Sequence, residues 1–274
     1  MHLKPKSMHD KKQLKCGRLC CNIPAPWRWR MGILDILFGR SDKGGLPPNL
    51  ARLRKKVTNK YGQPQDRQHA IKQVAMIGGE DAVKVLLERF SFSIDQSIVD
   101  EDEKKMVHDE LVQMGEIVVK PILEFLEKEN APYWPLRVLR QVVGDEACVT
   151  HLLDIINRTE AIFDRDVERK VLLVQNLRQF KDPRVKDAML NFLKDENEEI
   201  RVQAIEGLFD FGQQEMSDVV LDRLLDPNET QRVRTAILNL LIEKKWKLKQ
   251  RKEEVRKVIP PTFWIDDVGV IHRR

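Results

Sequence analysis

Apolar residues recur three and four positions apart along most of this chain, in short runs broken by glycine, proline and aspartate. That spacing gathers side chains on one face of an α-helix, so each run predicts a helix with one face turned inward. Leu50, Leu53 and Val57 mark a basic amphipathic helix over 50–61. From Pro64 and Asp66, a second run places Ala70, Val74 and Ile77 inward. Gly78-Gly79 turns the chain, and Val83, Leu86 and Leu87 face in from a partner helix. The same helix–turn–helix reading covers about 131–157, with Leu136, Leu139, Val142 and Val143, then Val149, Leu152 and Leu153 after Gly144-Asp145. It covers about 167–193, with Val171, Val174, Leu177 and Phe180, then Val185, Ala188, Met189 and Leu193 after Asp182-Pro183. It returns over about 195–225, with Ile200, Ala204, Leu208 and Phe211, then Met216, Val219, Val220 and Leu224 after Gly212. A last helix, carrying Val233, Ile237 and Leu240, is expected to run from Glu229 towards Lys257. Longer loops are expected at 91–103 and 158–166, the first ending in Asp100-Glu-Asp-Glu103 as a solvated helix start. The tail from 259 to 274 is not helical. Phe263-Trp-Ile265 and Val268–Ile271 flank Asp266-Asp267 and Gly269, as in a small hairpin or an extended segment with Trp264 docked.

The runs are also copies of one another. Asp195-Glu-Asn-Glu-Glu-Ile-Arg201 is echoed 31 residues later by Asp226-Pro-Asn-Glu-Thr-Gln-Arg232. Gly79-Glu80 with Val83, Leu86 and Leu87 is echoed 36 residues later by Gly115-Glu116 with Val119, Ile122 and Leu123. Repeats of this length, each a helix pair too apolar to stand alone, stack into a solenoid. Asp195 and Asp226 precede helices, where a carboxylate accepts hydrogen bonds from free first-turn amides. Glu198, Glu199 and Glu229 put negative charge at the positive end of the helix dipole.

An aspartate turn followed by an apolar residue and arginine, Asp195…Ile200-Arg201, resembles the HEAT-repeat family, including its short bacterial branch similar to phycobilisome-lyase repeats. The second copy departs from the motif: Gln231 stands at the apolar position, and Val233-Arg234 restores the pair two residues later. The resemblance implies an all-α, right-handed α-solenoid of about five helix pairs over 64–258, with flanking helices and the short tail. It also implies that Arg201 and Arg232 bond to an aspartate of an adjacent turn and hold the stack in register.

Charge changes the picture of the first residues only. The net charge is +5, but residues 1–30 carry +7, leaving the remainder mildly acidic. That segment is expected to be a disordered basic leader, with translation starting at Met31 in the natural-looking run Met31-Gly-Ile-Leu-Asp-Ile-Leu-Phe-Gly39. Residues 31–63 then hold a short apolar helix over 32–38, a linker rich in glycine and proline, and the capping helix. Residues 31–40 are a candidate for peripheral membrane contact, although the lysine-rich face such anchors use is missing. No run approaches the ~20 apolar residues of a membrane span. Cys16, Cys20 and Cys21 lack a second Cys/His pair and are a weak zinc signal, with His9 the one candidate fourth ligand, and Cys148 is the single cysteine of the body. That usage fits a cytoplasmic location.

Reaction chemistry is not visible. There is no phosphate-binding glycine loop and no dinucleotide fingerprint. Iron-binding HEAT-repeat hydroxylases carry repeated His-Glu pairs, and here only His108-Asp109 comes near. HEAT-like DNA glycosylases grip a duplex with tryptophans, an aspartate and a basic face; Trp134, Trp246 and Asp145 are present, but the body is acidic. No catalytic, cofactor-binding or metal-ligating residue is assigned. What remains is binding. Tyr133 and Trp134 sit at a turn, where stacked repeats expose a ridge, and Trp264 lies in the tail. Lys244, Lys245, Lys247 and Lys249 surround Trp246 in a stretch able to meet phosphate groups or an acidic partner. The sequence therefore predicts a non-catalytic scaffold for protein–protein interaction. The alternative is a nucleic-acid-binding or DNA-repair-type HEAT-like protein using a basic helix over 244–257.

Overall fold

The computed structural model describes residues 45–160, 163–212 and 216–274. The expectations for the leader, Met31, the apolar helix 32–38 with its membrane contact, and Cys16, Cys20 and Cys21 lie outside them. In order, the elements are α1 (Pro48–Val57), α2 (Pro64–Ile77), α3 (Gly79–Leu87), α4 (Ser97–Gln113), α5 (Val119–Leu126) and α6 (Tyr133–Arg158). They continue with α7 (Asp164–Leu177), α8 (Pro183–Phe192), α9 (Glu198–Asp210), α10 (Ser217–Leu225), α11 (Gln231–Lys244) and α12 (Lys252–Val258). A pair of strands follows, β1 (Phe263–Ile265) and β2 (Ile271–Arg273).

Local chemistry sets the helix ends. Proline opens α2 and α8, where its missing N–H costs nothing and its fixed φ suits the first turn. Asn197 caps α9 by accepting from the amides of Glu199 and Ile200, and Thr230 caps α11 by accepting from Val233. The expected caps, Asp195 and Asp226, act one step earlier. Each accepts from the amide two residues on, folding the loop rather than the helix. α6 is two helices joined at Gly144, whose φ of 82° and ψ of 170° break the helical path. A side chain bearing Cβ resists that conformation, so glycine makes this turn.

The helices stack in an all-α solenoid. First helices of successive pairs lie side by side: α2 on α4, α4 on α6, α6 on α7, α7 on α9 and α9 on α11. Second helices make another row, with α3 on α5 and α10 on α12. The core runs between the rows. α9 sits deepest, buried from Ile200 to Ile205 and from Gly207 to Phe209. A Cβ at Gly207 would fall 2.8 Å from the sulfur of Met189, so α9 packs there with no room for a side chain.

Some inward assignments change. Ile77 and Val219 are exposed, while Ile71, Val85 and Phe209 are buried. Val219 is turned out because the buried face of α10 runs through Ser217, Val220, Leu221 and Leu224. Of the carboxylates of 100–103 only Glu101 and Asp102 are solvated: α4 begins earlier, at Ser97, which turns Asp100 and Glu103 inward.

Buried arginines tie repeat to repeat. Arg67 of α2 donates to Glu103 of α4 and to the carbonyls of Asn59 and Gly62. Arg201 of α9 donates to both oxygens of Glu229, at 3.2 and 2.9 Å, and to the carbonyls of Asp195 and Glu196. Its partner lies in the adjacent turn but is a glutamate. Arg232, the sequence equivalent, is exposed and meets Glu198 and Glu199. The structural equivalent of Arg201 is Arg234, which is partly buried and donates to the Asp226 carbonyl of its own loop at 2.6 Å. Arg67, Arg201 and Arg234 each stand four residues after their helix cap. The helical period here is thus 33 residues, from Asn197 to Thr230, rather than the 31 of the loop aspartates. The stretch from loop aspartate to helix cap is two residues longer in the second copy, and it places Glu229 with its side chain wholly buried between Arg201 and Arg223.

The basic stretch is not one helix. α11 ends at Lys245, which takes a left-handed conformation with φ 52° and ψ 39°. Trp246 then donates its amide back to the Leu241 carbonyl, a closed helix end. Lys249 also has positive φ before α12 begins. The cause is tertiary: Trp246 turns back into the core and stacks on Phe209, ring centroids 4.2 Å apart.

Candidate functional site

A cleft of about 470 Å³ opens where α4, α6 and α7 meet. One wall is aromatic. Trp134, at the start of α6, is buried and lies parallel to Phe90 at 6.1 Å. Tyr133 meets Trp134 edge-on at 5.6 Å and is half exposed at the mouth. Pro132 precedes them and turns the chain onto the helix. The guanidinium of Arg137, one helical turn on, lies over both rings and bonds to the Tyr133 hydroxyl. The opposite wall comes from α7 and the turn after it: Leu172, Gln175, Asn176 and Gln179. Ser93, Lys104, Asn130 and Ala131 complete the lining.

Polar groups at the base are held by their neighbours. Lys104 donates to Asp100 at 2.7 Å and to the Ser93 hydroxyl at 3.1 Å. Asp100 also accepts from Arg89 and from the Ile94 amide. Burial alone would push the Asp100 carboxyl up. The hydrogen bonds from Lys104, Arg89 and Ile94 outweigh it and hold the carboxyl below its usual range. Arg89, wholly buried, continues the chain of charges to Glu103, which Arg67 also binds. On the far side, Asn130 donates to Glu168 at 2.8 Å. Arg165 reaches the Lys128 carbonyl and Glu129, fixing the loop 127–132 against the start of α7.

The cleft lies between the repeats that lack the arginine four residues after the helix cap. At that position α4 has Asp100, α6 has Leu136 and α7 has Val167. Where other pairs are tied by an arginine and a carboxylate, these present rings and amides to an open space. Concave sites that mix apolar walls with a few placed polar groups suit ligand binding. The lining holds a single charged side chain, Lys104, which is paired with Asp100. Among the described residues, no group of three or more His, Cys, Asp or Glu is placed to hold a metal ion.

Of the residues singled out by sequence, the structure brings Tyr133 and Trp134 together at this cleft, with Trp134 as wall and Tyr133 as rim. Trp246 is buried in the core and offers no contact surface. Lys244 pairs with Glu243, and Lys245, Lys247 and Lys249 are exposed around the break in the helix. Trp264 lies on the outer face of a hairpin, stacked on His272 at 4.6 Å. That hairpin pairs Phe263 with Arg273 and Ile265 with Ile271 in antiparallel register. Its inner face buries Phe263, Ile265 and Ile271, and the Gly269 carbonyl accepts from the Leu248 amide. Sequence reading missed Phe90, Lys104, Leu172, Gln175 and Gln179. They come from different repeats, and only the stacking register that puts α4, α6 and α7 side by side would have found them.

The Cys148 thiol is buried, and burial pushes it up to about 12, which makes it an unreactive core group.

Residues 149–241 match the family model for HEAT repeats. None of the curated proteins compared matches the chain. Among solved structures, a crystal structure of an engineered protein is similar at 13% identity, covering 76% of this chain and 92% of that one, with a TM-score of 0.29. A likeness that distant carries no argument about the fold or the site. No helix among the described residues is long and apolar enough to cross a membrane.

Proposed function

We infer that this HEAT-repeat protein is a non-catalytic scaffold for protein–protein interaction, and that a segment of its partner enters the cleft between α4, α6 and α7. The observation that carries this reading is the half-exposed Tyr133 beside the buried Trp134 at the mouth of a cleft with rings on one wall and amides on the other. Aromatic side chains fixed by their neighbours lose little freedom on binding and dominate the energy of many interfaces. The amides of Gln175, Asn176 and Gln179 each carry a donor and an acceptor, which suits the N–H and C=O groups of a peptide backbone. The cytoplasm is the compartment we propose for it.

The test is a pull-down from native lysate with the full chain, washed at low and at high salt. The scaffold reading expects a discrete protein that stays bound at high salt and is lost with Tyr133→Ala, a change at an exposed side chain that leaves the fold intact. Retention of the same protein by Tyr133→Ala would place the interface elsewhere. Nucleic acid that elutes with salt, and disappears when Lys244, Lys245, Lys247 and Lys249 are neutralised, would overturn the reading. Phosphate contacts release counterions and weaken steeply as salt rises, whereas an apolar interface does not.

A further inference from the structure

The cleft has an unbalanced charge at its base. Arg67, Arg89 and Lys104 are the cations of the network that ends there, and Asp100 and Glu103 are its carboxylates. Both oxygens of Glu103 face Arg67 and Arg89. One oxygen of Asp100 meets Arg89 and the Ile94 amide, and the other meets Lys104. The network therefore carries one positive charge more than its carboxylates neutralise, and Lys104 is the member that lines the cleft. An ammonium has three donors. Lys104 uses one on Asp100 and one on Ser93, which leaves one. Of the other charged groups nearby, Arg165 meets Glu129 and His108 meets Asp109. Glu168 accepts only from the neutral Asn130 amide, and its negative charge is matched in number by the positive charge of Arg137 over the outer rings, so the excess of one positive charge stands.

We propose that the partner segment is acidic: it presents an aspartate or glutamate carboxylate to the remaining Lys104 donor, next to a large apolar side chain that packs between Trp134 and Leu172. This rests on the cleft being the binding site inferred above. Lys104 is recessed, its side chain 11% exposed, whereas Gln175 and Gln179 are exposed at the rim. The partner's backbone therefore rests on the rim amides, and its charge reaches Lys104 on a side-chain stem. A carboxylate arriving there completes the pairing of a partly desolvated cation, where a charge-assisted hydrogen bond counts for more than at an exposed lysine.

Short random peptides displayed on phage and selected on the immobilised full-length chain test this. The enriched sequences are expected to hold Asp or Glu within a few residues of an aromatic or large aliphatic residue. A synthetic copy of one such peptide is then compared by fluorescence anisotropy with its twin carrying Asn or Gln in place of the acid. The amide twin should bind at least about tenfold more weakly, the scale of one hydrogen bond to a charged group. Lys104→Met should reduce the acidic peptide's affinity to the twin's level, and Lys104→Arg should restore much of it. The peptide swap leaves the protein unchanged, so it reports even if Lys104→Met fails to fold. Peptides that compete at the cleft but carry no acid, or that need a free terminal carboxylate, would overturn the acidic-segment proposal and leave the scaffold reading standing. Enrichment of no peptide at all would remove both.

Discussion

At the scale of single residues, burial separates arginines that look alike in the sequence. Arg201 and Arg232 occupy equivalent places in the two copies, yet Arg201 is buried on Glu229 while Arg232 is exposed. Removing one partner of a buried pair strands the other charge, at a cost of about 3–5 kcal/mol, whereas an exposed pair contributes less than about 1 kcal/mol. Glu229→Gln is therefore expected to lose about 3 kcal/mol, read as a lower urea midpoint, and Arg232→Ala to change it by less than about 0.5 kcal/mol. Equal effects would mean that the buried ladder does not hold the stack. The same glutamate sets an acid response. Burial pushes the Glu229 carboxyl up, but hydrogen bonds from Arg201, the Thr230 amide and Arg223 outweigh it and hold the carboxyl below its usual range. A carboxyl depressed in the folded state contributes stability that is complete above its unfolded value, about 4.3, and is lost as pH falls through the folded value. Urea midpoints measured from pH 7 downwards should therefore fall less steeply in acid for Glu229→Gln than for the natural chain.

At the scale of elements, the break after α11 gives a prediction of opposite sign to that of a continuous helix. Lys245 holds a left-handed conformation that glycine adopts freely. Lys245→Gly is thus expected to be neutral or to stabilise by up to about 1 kcal/mol. In the middle of one helix over 244–257 it would instead cost about 1 kcal/mol. Gly144→Ala tests the turn inside α6 in the other direction. With φ at 82°, the new Cβ is expected to cost about 1–2 kcal/mol, seen as a lower Tm. Trp246→Ala should be among the most damaging single changes, about 3–5 kcal/mol, because it empties the core beside Phe209. A small effect there would return Trp246 to the surface role first expected of it.

At the scale of the whole molecule, each repeat contacts mainly its neighbours, and binding surfaces form where stacking leaves space. The cleft spans residues from Phe90 to Gln179, so its shape, and with it the binding proposed there, depends on α4, α6 and α7 keeping their register. The lysines near the end of the stack are spread over a closed helix end, a turn and the start of α12. They form no continuous helical stripe, and the nucleic-acid alternative loses the basic helix it was built on. Neutralising Lys245, Lys247 and Lys249 is accordingly expected to leave peptide binding at the cleft unchanged within twofold or so in anisotropy, since the discrimination proposed there rests on Lys104 and the rings.

The sequence by itself determined the class of fold, because helical periodicity and repeated turns are local properties: the spacing of Ala70 and Val74, or of Val174 and Leu177, needs no knowledge of the neighbour it will meet. It also marked Tyr133 and Trp134, since two aromatic residues after a proline stand out at a turn. It did not place Glu229 between two arginines, turn Asp100 and Glu103 inward, or return Trp246 to the core. Those outcomes depend on which helix lies beside which, and a shift of two residues in repeat length, from 31 to 33, exchanges Arg232 for Arg234. The cleft is of the same kind. Its walls come from separate repeats, so only tertiary stacking decided that Lys104, Trp134 and Leu172 share one space.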